Sequence, residues 1–238
     1  MKQIIAMHGW SGDSQTWIPW QEYFKQYGWN WQSGERGYGN LSPINPKWRK
    51  GTGSLKENRR VIISHSLGLH LIATKVLVEA TDLVLIASFG RFLPKGYQGK
   101  ALEAGIKRMQ ELLGTKDELK MLNTFQSKVF NPKPVPSLTL GPIKNGLSTE
   151  GRKKLEEDLE LLIQTKGIPS GIPEKARVLV IEGSKDNIVA DASKKLLLED
   201  LRKNLTTPPS NWIYKKEGHA MNKPELIQEV HQWLQEIT

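Results

Sequence analysis

The chain of 238 residues contains no cysteine, which excludes disulfides, thiolate nucleophiles and cysteine-based zinc sites. No apolar run reaches the ~18 residues of a membrane-spanning helix. The first ten residues, MKQIIAMHGW, have neither a long apolar region nor a small-residue cleavage site, so they predict a strand rather than a signal peptide. These absences favour a cytoplasmic globular protein, long enough for one large domain or for a core with an inserted lid.

Acidic residues are outnumbered by basic ones, which gives a formal net charge of +9. Residues 91–175 carry 15 Lys and Arg against 10 Asp and Glu, so the middle of the chain is the more basic part. A basic surface can attract nucleic acid, an anionic membrane or an acidic protein, or it can simply be solvated. No basic helix or RNA-binding motif accompanies the charge. We therefore expect no nucleic-acid or membrane partner, although eight tryptophans able to stack on bases keep a nucleic-acid binder as an alternative.

Metal and cofactor motifs are also missing from the sequence. No two histidines have H-E-x-x-H spacing, and no glycine-rich stretch matches a phosphate-binding or dinucleotide-binding loop. We therefore predict neither a metal site nor a cofactor.

Apolar runs bounded by glycine, proline or polar residues predict buried strands near residues 3–9, 59–64, 82–88, 177–183 and 211–218. A short strand that runs into a glycine-rich loop is predicted within residues 29–40. Helical patterns follow most of these runs, including one long helix over 67–80, whereas residues 91–175 contain helical patterns alone. This order predicts an α/β fold, with a mostly parallel sheet and helices on both faces. Residues 1–90 and 176–238 would form the core, and residues 91–175 an inserted helical cap.

The stretch VIISHSLGLHLIA, residues 61–73, places two hydroxyls and an imidazole where a buried strand turns into a helix. Ser66 stands two residues from Ser64 and from Gly68, both small enough for strand and helix to pack closely at a sharp turn. This spacing is that of the nucleophile elbow G-x-S-x-G, with Ser64 in place of the first glycine. The alternative is an ordinary strand–helix turn with capping serines.

A serine hydroxyl needs a base, and the base needs an orienting acid. Asp186 follows the strand 177–183, and His219 follows the strand near 211–218. Both would lie at the carboxyl edge of the sheet with Ser66, in the chain order Ser, Asp, His that accompanies this elbow. The sequence therefore predicts a Ser66–His219–Asp186 triad.

The segment His8-Gly9-Trp10 directly follows the first strand and is suited to shape an oxyanion loop. We predict that the backbone N–H groups of Trp10 and Leu67 hold the oxyanion and that the Trp10 ring walls the acyl pocket. The His8 side chain is expected to be structural. The other histidines are expected to face neighbouring loops (His65), to pack in the interior (His70) and to lie at the surface (His231).

These segments together resemble the α/β-hydrolase family. The resemblance covers His8 to Trp10, Ser64 to Gly68, Gly183 to Asp186, and Gly218-His219, while Ser64 departs from the family pattern. It implies that the first strand corresponds to the family's third, as in a minimal form without the N-terminal antiparallel pair.

A narrower resemblance is to the carboxylesterases that cleave pimeloyl-acyl-carrier-protein methyl ester in biotin synthesis. It rests on Gly9-Trp10 and on the helix LEEDLELLIQTKGIP that precedes the Asp186 strand. Cap arginines of those enzymes contact the acidic carrier protein, and Lys120 stands where one of them would. The acyl chain would thread beneath the cap, past Phe125 and neighbouring leucines. Further basic residues available for an equivalent carrier surface are Arg91, Lys107, Arg108, Arg152, Lys153 and Lys154.

The sequence thus predicts a serine carboxylesterase, with pimeloyl-acyl-carrier-protein methyl ester as the substrate implied by resemblance. A thioesterase, a small-ester or lactone hydrolase and a carbon–carbon lyase remain alternatives on the same fold. From another class, a binding protein that kept the fold without catalysis is also open.

Overall fold

The computed structural model describes residues 1–50, 58–136 and 146–236. Its sheet has six strands, all parallel, in the order β2-β1-β3-β4-β5-β6. The strands are β1 Lys2–Met7, β2 Asn30–Ser33, β3 Arg59–His65, β4 Asp82–Ile86, β5 Arg177–Gly183 and β6 Ser210–Tyr214. Because all strands run in one direction, their carboxyl ends meet at one edge, where open α/β sheets hold their sites.

Helices connect these strands. In the described residues they are a short 3-10 helix Ser14–Trp17 followed by α1 Ile18–Gln26, α2 Gly68–Leu71, α3 Thr74–Leu77, α4 Tyr97–Leu112, α5 Glu118–Phe130, α6 Thr149–Gln164, α7 Asp191–Asn204 and α8 Leu226–Gln235. The three helices α4, α5 and α6 lie between β4 and β5 in the chain, where the sequence predicts the cap. Residues 137–145 of the predicted cap lie outside the described residues.

Two apolar layers cover the sheet, one on each face. On one face α1 and α8 bury side chains such as Phe24 and Val230 against the sheet. On the other face α2, α3 and α7 contribute Leu69, Val76 and Leu197. The predicted α/β fold, a mostly parallel sheet with helices on both faces, is therefore confirmed.

The cap helices form a third apolar cluster above the carboxyl edge of the sheet. Ile106 of α4, Met121 of α5 and Leu155 of α6 pack there with Trp10 and Leu67 of the core. The cap is thus continuous with the core through buried apolar contacts, which are the main favourable term in packing one element on another.

The predicted long helix over 67–80 is wrong, because the segment forms two short helices, α2 and α3. Ile72 and Ala73 between them are extended, with ψ values of 128° and 137°. Branched side chains such as Ile72 and Val76 favour a helix only weakly. In addition, the Trp48 indole N–H donates to the Val76 carbonyl at 2.8 Å, a contact that no sequence pattern announces.

The turn after β3 leaves no room for a side chain at Gly68. A Cβ atom there would lie 2.5 Å from the Met7 carbonyl oxygen and 2.9 Å from that of His8. Both neighbours are backbone atoms of β1 and its following loop, so they cannot move aside as a side-chain tip can.

We expect Gly68→Ala to destabilise the protein by about 1–3 kcal/mol through overpacking and to lower the thermal midpoint by several degrees. The matched control is Gly105→Ala, since Gly105 is exposed on α4 and has nothing within 4 Å of its Cβ position. That change should be neutral or stabilising. Equal thermal midpoints for the two variants would contradict the close backbone contact at Gly68.

Candidate active site

Ser66 occupies a strained turn directly after β3. Its φ angle is 55°, a left-handed conformation that a non-glycine residue adopts at a cost, and its backbone N–H donates to the Ile86 carbonyl at 2.9 Å. A Cβ atom on Gly9 would lie 2.9 Å from the Ser66 Cβ, so the loop after β1 passes directly over the serine. The predicted elbow therefore has the backbone geometry that lifts a serine out of its strand.

Asp186 and His219 meet at the same edge of the sheet. The Nδ1–H of His219 donates to Asp186 Oδ2 at 2.9 Å, and both side chains are buried. Burial alone would raise the pKa of Asp186, but the charge and hydrogen bond of His219 and the N–H groups of Ile188 and Val189 hold it below its usual value. Asp186 is therefore an ionised acceptor for the Nδ1–H of His219, which fixes the tautomer of the neutral ring.

Two backbone N–H groups are predicted to serve Ser66: Leu67 follows it in the chain, and Trp10 lines the same cavity. Within the described part of the chain, the N–H groups of Trp10 and Leu67 donate no hydrogen bond. Leu67 directly precedes α2, and its side chain is fully buried. The Trp10 indole N–H donates to the Leu155 carbonyl at 2.9 Å, which ties the loop after β1 to cap helix α6. Unpaired N–H groups beside a candidate nucleophile are what an oxyanion would require.

Helix α5 of the cap braces the loop after β1 and the loop that holds His219. The ring of Phe125 packs edge-to-face on Trp10 at 4.8 Å between centroids, and the Gln126 amide donates to Ser11 Oγ at 3.2 Å. One turn further on, the Val129 carbonyl accepts from the Ala220 N–H at 2.9 Å. The cap therefore contributes directly to the position of both loops.

A cavity of about 460 Å³ opens beside Ser66 and His219. Trp10 and Phe125, the predicted substrate-binding residues, both line it. From there it extends along the α1 and α8 side of the sheet, where its wall is mainly apolar: Trp17, Pro19, Trp20, Met221, Leu226 and Ile227. This volume lies within the ~300–1,000 Å³ of small-molecule sites.

Cap helix α5 contributes Phe125, Gln126, Val129 and Phe130 to the cavity, whereas most other apolar side chains of the cap pack in its interior. Met121 and Leu122 of α5 are buried in the cap cluster with Leu67 and Phe89, and they do not line the cavity. Phe125 alone of the residues predicted for the tunnel reaches the cavity.

Most of the basic side chains predicted for a carrier surface already have partners. Lys107 pairs with Glu103, Arg108 with Glu111 and Arg152 with Glu118, at 2.7–2.8 Å. The Lys154 ammonium donates to the Arg36 carbonyl at 3.0 Å, and the Arg91 guanidinium donates to the Lys166 carbonyl. Neither Lys120 nor Lys153 forms an ion pair with any described residue, and both are exposed.

The histidines outside the triad have several different environments. His8 is buried, with Nδ1 2.8 Å from the Gly9 carbonyl and Nε2 accepting from the Arg36 N–H, so its side chain is structural as expected. His70 is half-buried and stacks on Phe89. The surface position expected for His231 is wrong: the ring is 4% exposed and packs between Tyr23, Phe24 and Tyr27.

Glu35 is a site residue that the sequence analysis missed. Its buried carboxylate accepts from the N–H groups of Ser14 and Gly37, both at 2.7 Å, and lies 3.5 Å from His8 Nε2. It thereby joins the loop after β1 to the loop after β2. No motif marks it, because a single glutamate in a glycine-rich loop is ordinary in composition.

The described residues contain no group of three or more His, Asp or Glu side chains placed to hold a metal ion. Nor does any helix in these ranges combine the length and apolarity needed to cross a bilayer.

Solved structures share this architecture. An esterase from Exiguobacterium antarcticum superposes with a TM-score of 0.72 at 16% identity, covering 99% of this chain and 92% of the esterase. A bromoperoxidase from Bacillus anthracis gives 0.70 at 17% identity with the same coverage, and a thermophilic esterase from Thermogutta terrifontis gives 0.62 at 14% over 98% and 89%. The chain has the α/β-hydrolase fold. No protein-family profile and no curated protein matches it.

Glu35 makes the stability of the loops at the carboxyl edge of the sheet dependent on pH. Burial raises the pKa of Glu35, but the hydrogen bond and charge that His8 supplies when its ring is protonated, together with the N–H groups of Ser14 and Gly37, outweigh burial and hold it at about 2, against 4.5 for a free glutamate. A carboxyl with a lowered pKa stabilises the fold fully above about pH 4.5, and this stabilisation is lost as the pH falls toward 2.

We expect Glu35→Gln to lower the free energy of unfolding by up to about 3 kcal/mol at pH 7, with a difference from wild type that shrinks steadily below pH 4.5. Urea unfolding between pH 7 and pH 3 measures it. Glu199→Gln, at an exposed position on α7, is the control and should track wild type. A deficit for Glu35→Gln that stays constant over this range would refute the assignment of the lowered pKa.

Proposed function

We propose that the protein is a serine hydrolase that cleaves a carboxylic ester. The observation that carries this proposal is the buried 2.9 Å contact between His219 Nδ1 and Asp186 Oδ2 beside a cavity that Ser66 also lines. A buried histidine–carboxylate pair next to a strained, cavity-facing serine is an arrangement suited to activating a hydroxyl. The same fold in esterases is consistent with this chemistry but does not by itself define it.

In the proposed reaction, Ser66 Oγ attacks the ester carbonyl carbon while His219 Nε2 takes the hydroxyl proton. The carbonyl oxygen becomes an oxyanion, held by the N–H groups of Trp10 and Leu67. As the tetrahedral species collapses, the carbon–oxygen bond to the alcohol breaks and the imidazolium returns its proton to the leaving alkoxide. Water, deprotonated by His219, then attacks the acyl-enzyme and releases the acid, regenerating Ser66.

The apolar wall of the cavity supports an ester with an apolar chain. Burying methylene groups against side chains such as Trp20 and Ile227 would contribute up to ~0.8 kcal/mol each. Apart from histidines, the acidic and basic side chains among the lining residues are Asp13 and Lys223, and most of the remaining wall is apolar. This favours a medium-length acyl or alkoxy chain over a highly charged small substrate.

At a finer level, we propose that the substrate is pimeloyl-acyl-carrier-protein methyl ester, which would give the protein a role in biotin synthesis and a cytoplasmic location. The exposed face of α5 supports an acidic carrier. It forms a shallow groove lined by Lys116, Leu119, Lys120, Asn123, Thr124 and Ser127, with no acidic side chain. An ion pair between Glu118 and Arg152 joins α5 to α6. Lys120 lies two residues after Glu118, and Lys153 lies one residue after Arg152. Such a surface would attract an acidic protein at low salt.

We expect Ser66→Ala to lower ester turnover at least about 10⁴-fold and to abolish labelling by a fluorophosphonate, because the attacking oxygen is removed. Ser170→Ala, at an exposed loop position, is the matched control and should keep both. Peptide mapping of the labelled protein should identify the Ser66 peptide. Turnover in a folded Ser66→Ala protein at the wild-type rate would refute the serine mechanism, and an inert wild-type protein would favour a binding role.

The carrier proposal predicts a salt-dependent difference between two methyl esters. For pimeloyl-acyl-carrier-protein methyl ester, kcat/KM should fall as salt rises, and the double change Lys120→Glu, Lys153→Glu should lower it about 10-fold at low salt. For dimethyl pimelate, neither salt nor the double change should matter.

The control for charge reversal is Lys195→Glu, at an exposed position on α7. It should leave kcat/KM for both esters unchanged. The wild-type gene should also restore growth of a biotin-requiring strain that lacks its own methyl esterase. Equal salt dependence for the two esters, or failure to restore growth, would remove the carrier-borne substrate while leaving ester hydrolysis in place.

A further inference from the structure

His65 precedes Ser66 in the chain and lies against His219 in space. Its ring centroid is 4.9 Å from that of His219, and its Nε2 atom is 2.9 Å from the His219 carbonyl oxygen. His65 also lines the cavity with both residues. One imidazole therefore connects the end of β3 to the backbone of the loop that carries the proposed base.

The direction of this hydrogen bond fixes the tautomer of His65. A carbonyl oxygen only accepts, so Nε2 must carry the proton and donate it. Burial and the adjacent His219 lower the pKa of His65 to about 4, so the ring is neutral at pH 7. A neutral ring avoids placing a second positive charge beside the imidazolium that His219 would become during the reaction.

The carbonyl of His219 depends on this donor. Among the described residues no other group donates to it, whereas the flanking Ala220 N–H is held by Val129 of α5. On the other side of His219, the Glu217 carbonyl accepts from the Lys185 N–H at 2.9 Å. Without His65, the carbonyl at the centre of this loop would be left unpaired beside an apolar cavity, a loss that favours rotation of the peptide.

We propose that His65 is a positioning residue, whose Nε2–H bond to the His219 carbonyl holds the 218–221 loop so that the His219 imidazole keeps its place beside Asp186 and the cavity that Ser66 lines. The inference rests on the proposed ester hydrolysis. His65 itself touches no reacting atom in this scheme. Its effect passes through the backbone of His219, since Asp186 fixes the ring of His219 and His65 fixes the peptide from which that ring extends.

The test compares side chains that can and cannot replace the Nε2–H donor. Glutamine places an amide N–H near the position of Nε2, whereas asparagine is one methylene shorter and cannot reach the carbonyl. Leucine removes the donor altogether. We expect His65→Leu and His65→Asn to lower kcat about 10-fold to 100-fold with little change in KM, and His65→Gln to recover most of the loss.

His70→Leu is the matched control, because His70 also lies 2.9 Å through Nε2 from a carbonyl, that of Phe89, but does not line the cavity. It should leave kcat unchanged. The rate of labelling by the fluorophosphonate should follow kcat across the series. If His65→Leu does not fold, the Gln and Asn pair alone decides, since both are polar and of similar size.

The outcomes separate the two proposals. An inactive and unlabelled wild-type protein would overturn ester hydrolysis itself. With an active wild-type protein, equal kcat values for the folded Gln and Asn variants would overturn the positioning role. A loss confined to KM would do the same, because it would assign His65 to substrate binding.

Discussion

The candidate site at the carboxyl edge of the sheet depends on two backbone segments that are in van der Waals contact. The loop after β1 crosses the turn after β3, and the positions at the crossing, Gly9 and Gly68, have no space for a Cβ atom. The register of the two strands, with Met7 opposite Ser64, sets where the crossing occurs. Because the crossing is this close, Gly9 and the loop that continues to Trp10 lie against the turn that carries Ser66.

Strain is concentrated at this same edge. The non-glycine residues with positive φ among the described residues are Ser11, Ser66, Ala87 and Met221, and all four follow the carboxyl ends of strands or border His219. Such conformations cost on the order of 1–3 kcal/mol each and persist where the surrounding structure determines them fully. The Ser64 hydroxyl is fully buried and has no hydrogen-bond partner among the described residues, which adds a further cost. The two apolar layers on the sheet faces supply the stability that offsets these costs.

The sequence identified the elements whose causes are local. Apolar runs predicted the strands, and residues that follow strands, such as Ser66, Asp186 and His219, were placed at one edge by the rule for parallel sheets. Features with distant causes were missed. The break between α2 and α3, the burial of His231 and the role of Glu35 each depend on partners 20 or more positions away in the chain, which composition and periodicity do not reveal. The cavity extends toward α1 and α8 because cap side chains such as Met121 and Leu122 pack in the interior of the cap.

The cap helix α5 forms part of the lining of the candidate site. Buried Asp158 of α6 accepts two hydrogen bonds from Arg36 at 2.7 Å and one from the Tyr38 hydroxyl at 2.6 Å. Removing Arg36 would leave a buried carboxylate without its countercharge. With α6 anchored in this way, α5 separates the cavity from the lysine-bearing groove on its outer face. An acyl chain delivered from that groove would have to pass around a helix about 10 Å wide before reaching Ser66. A carrier-borne substrate would therefore need a long tether, whereas a free ester could enter the cavity directly.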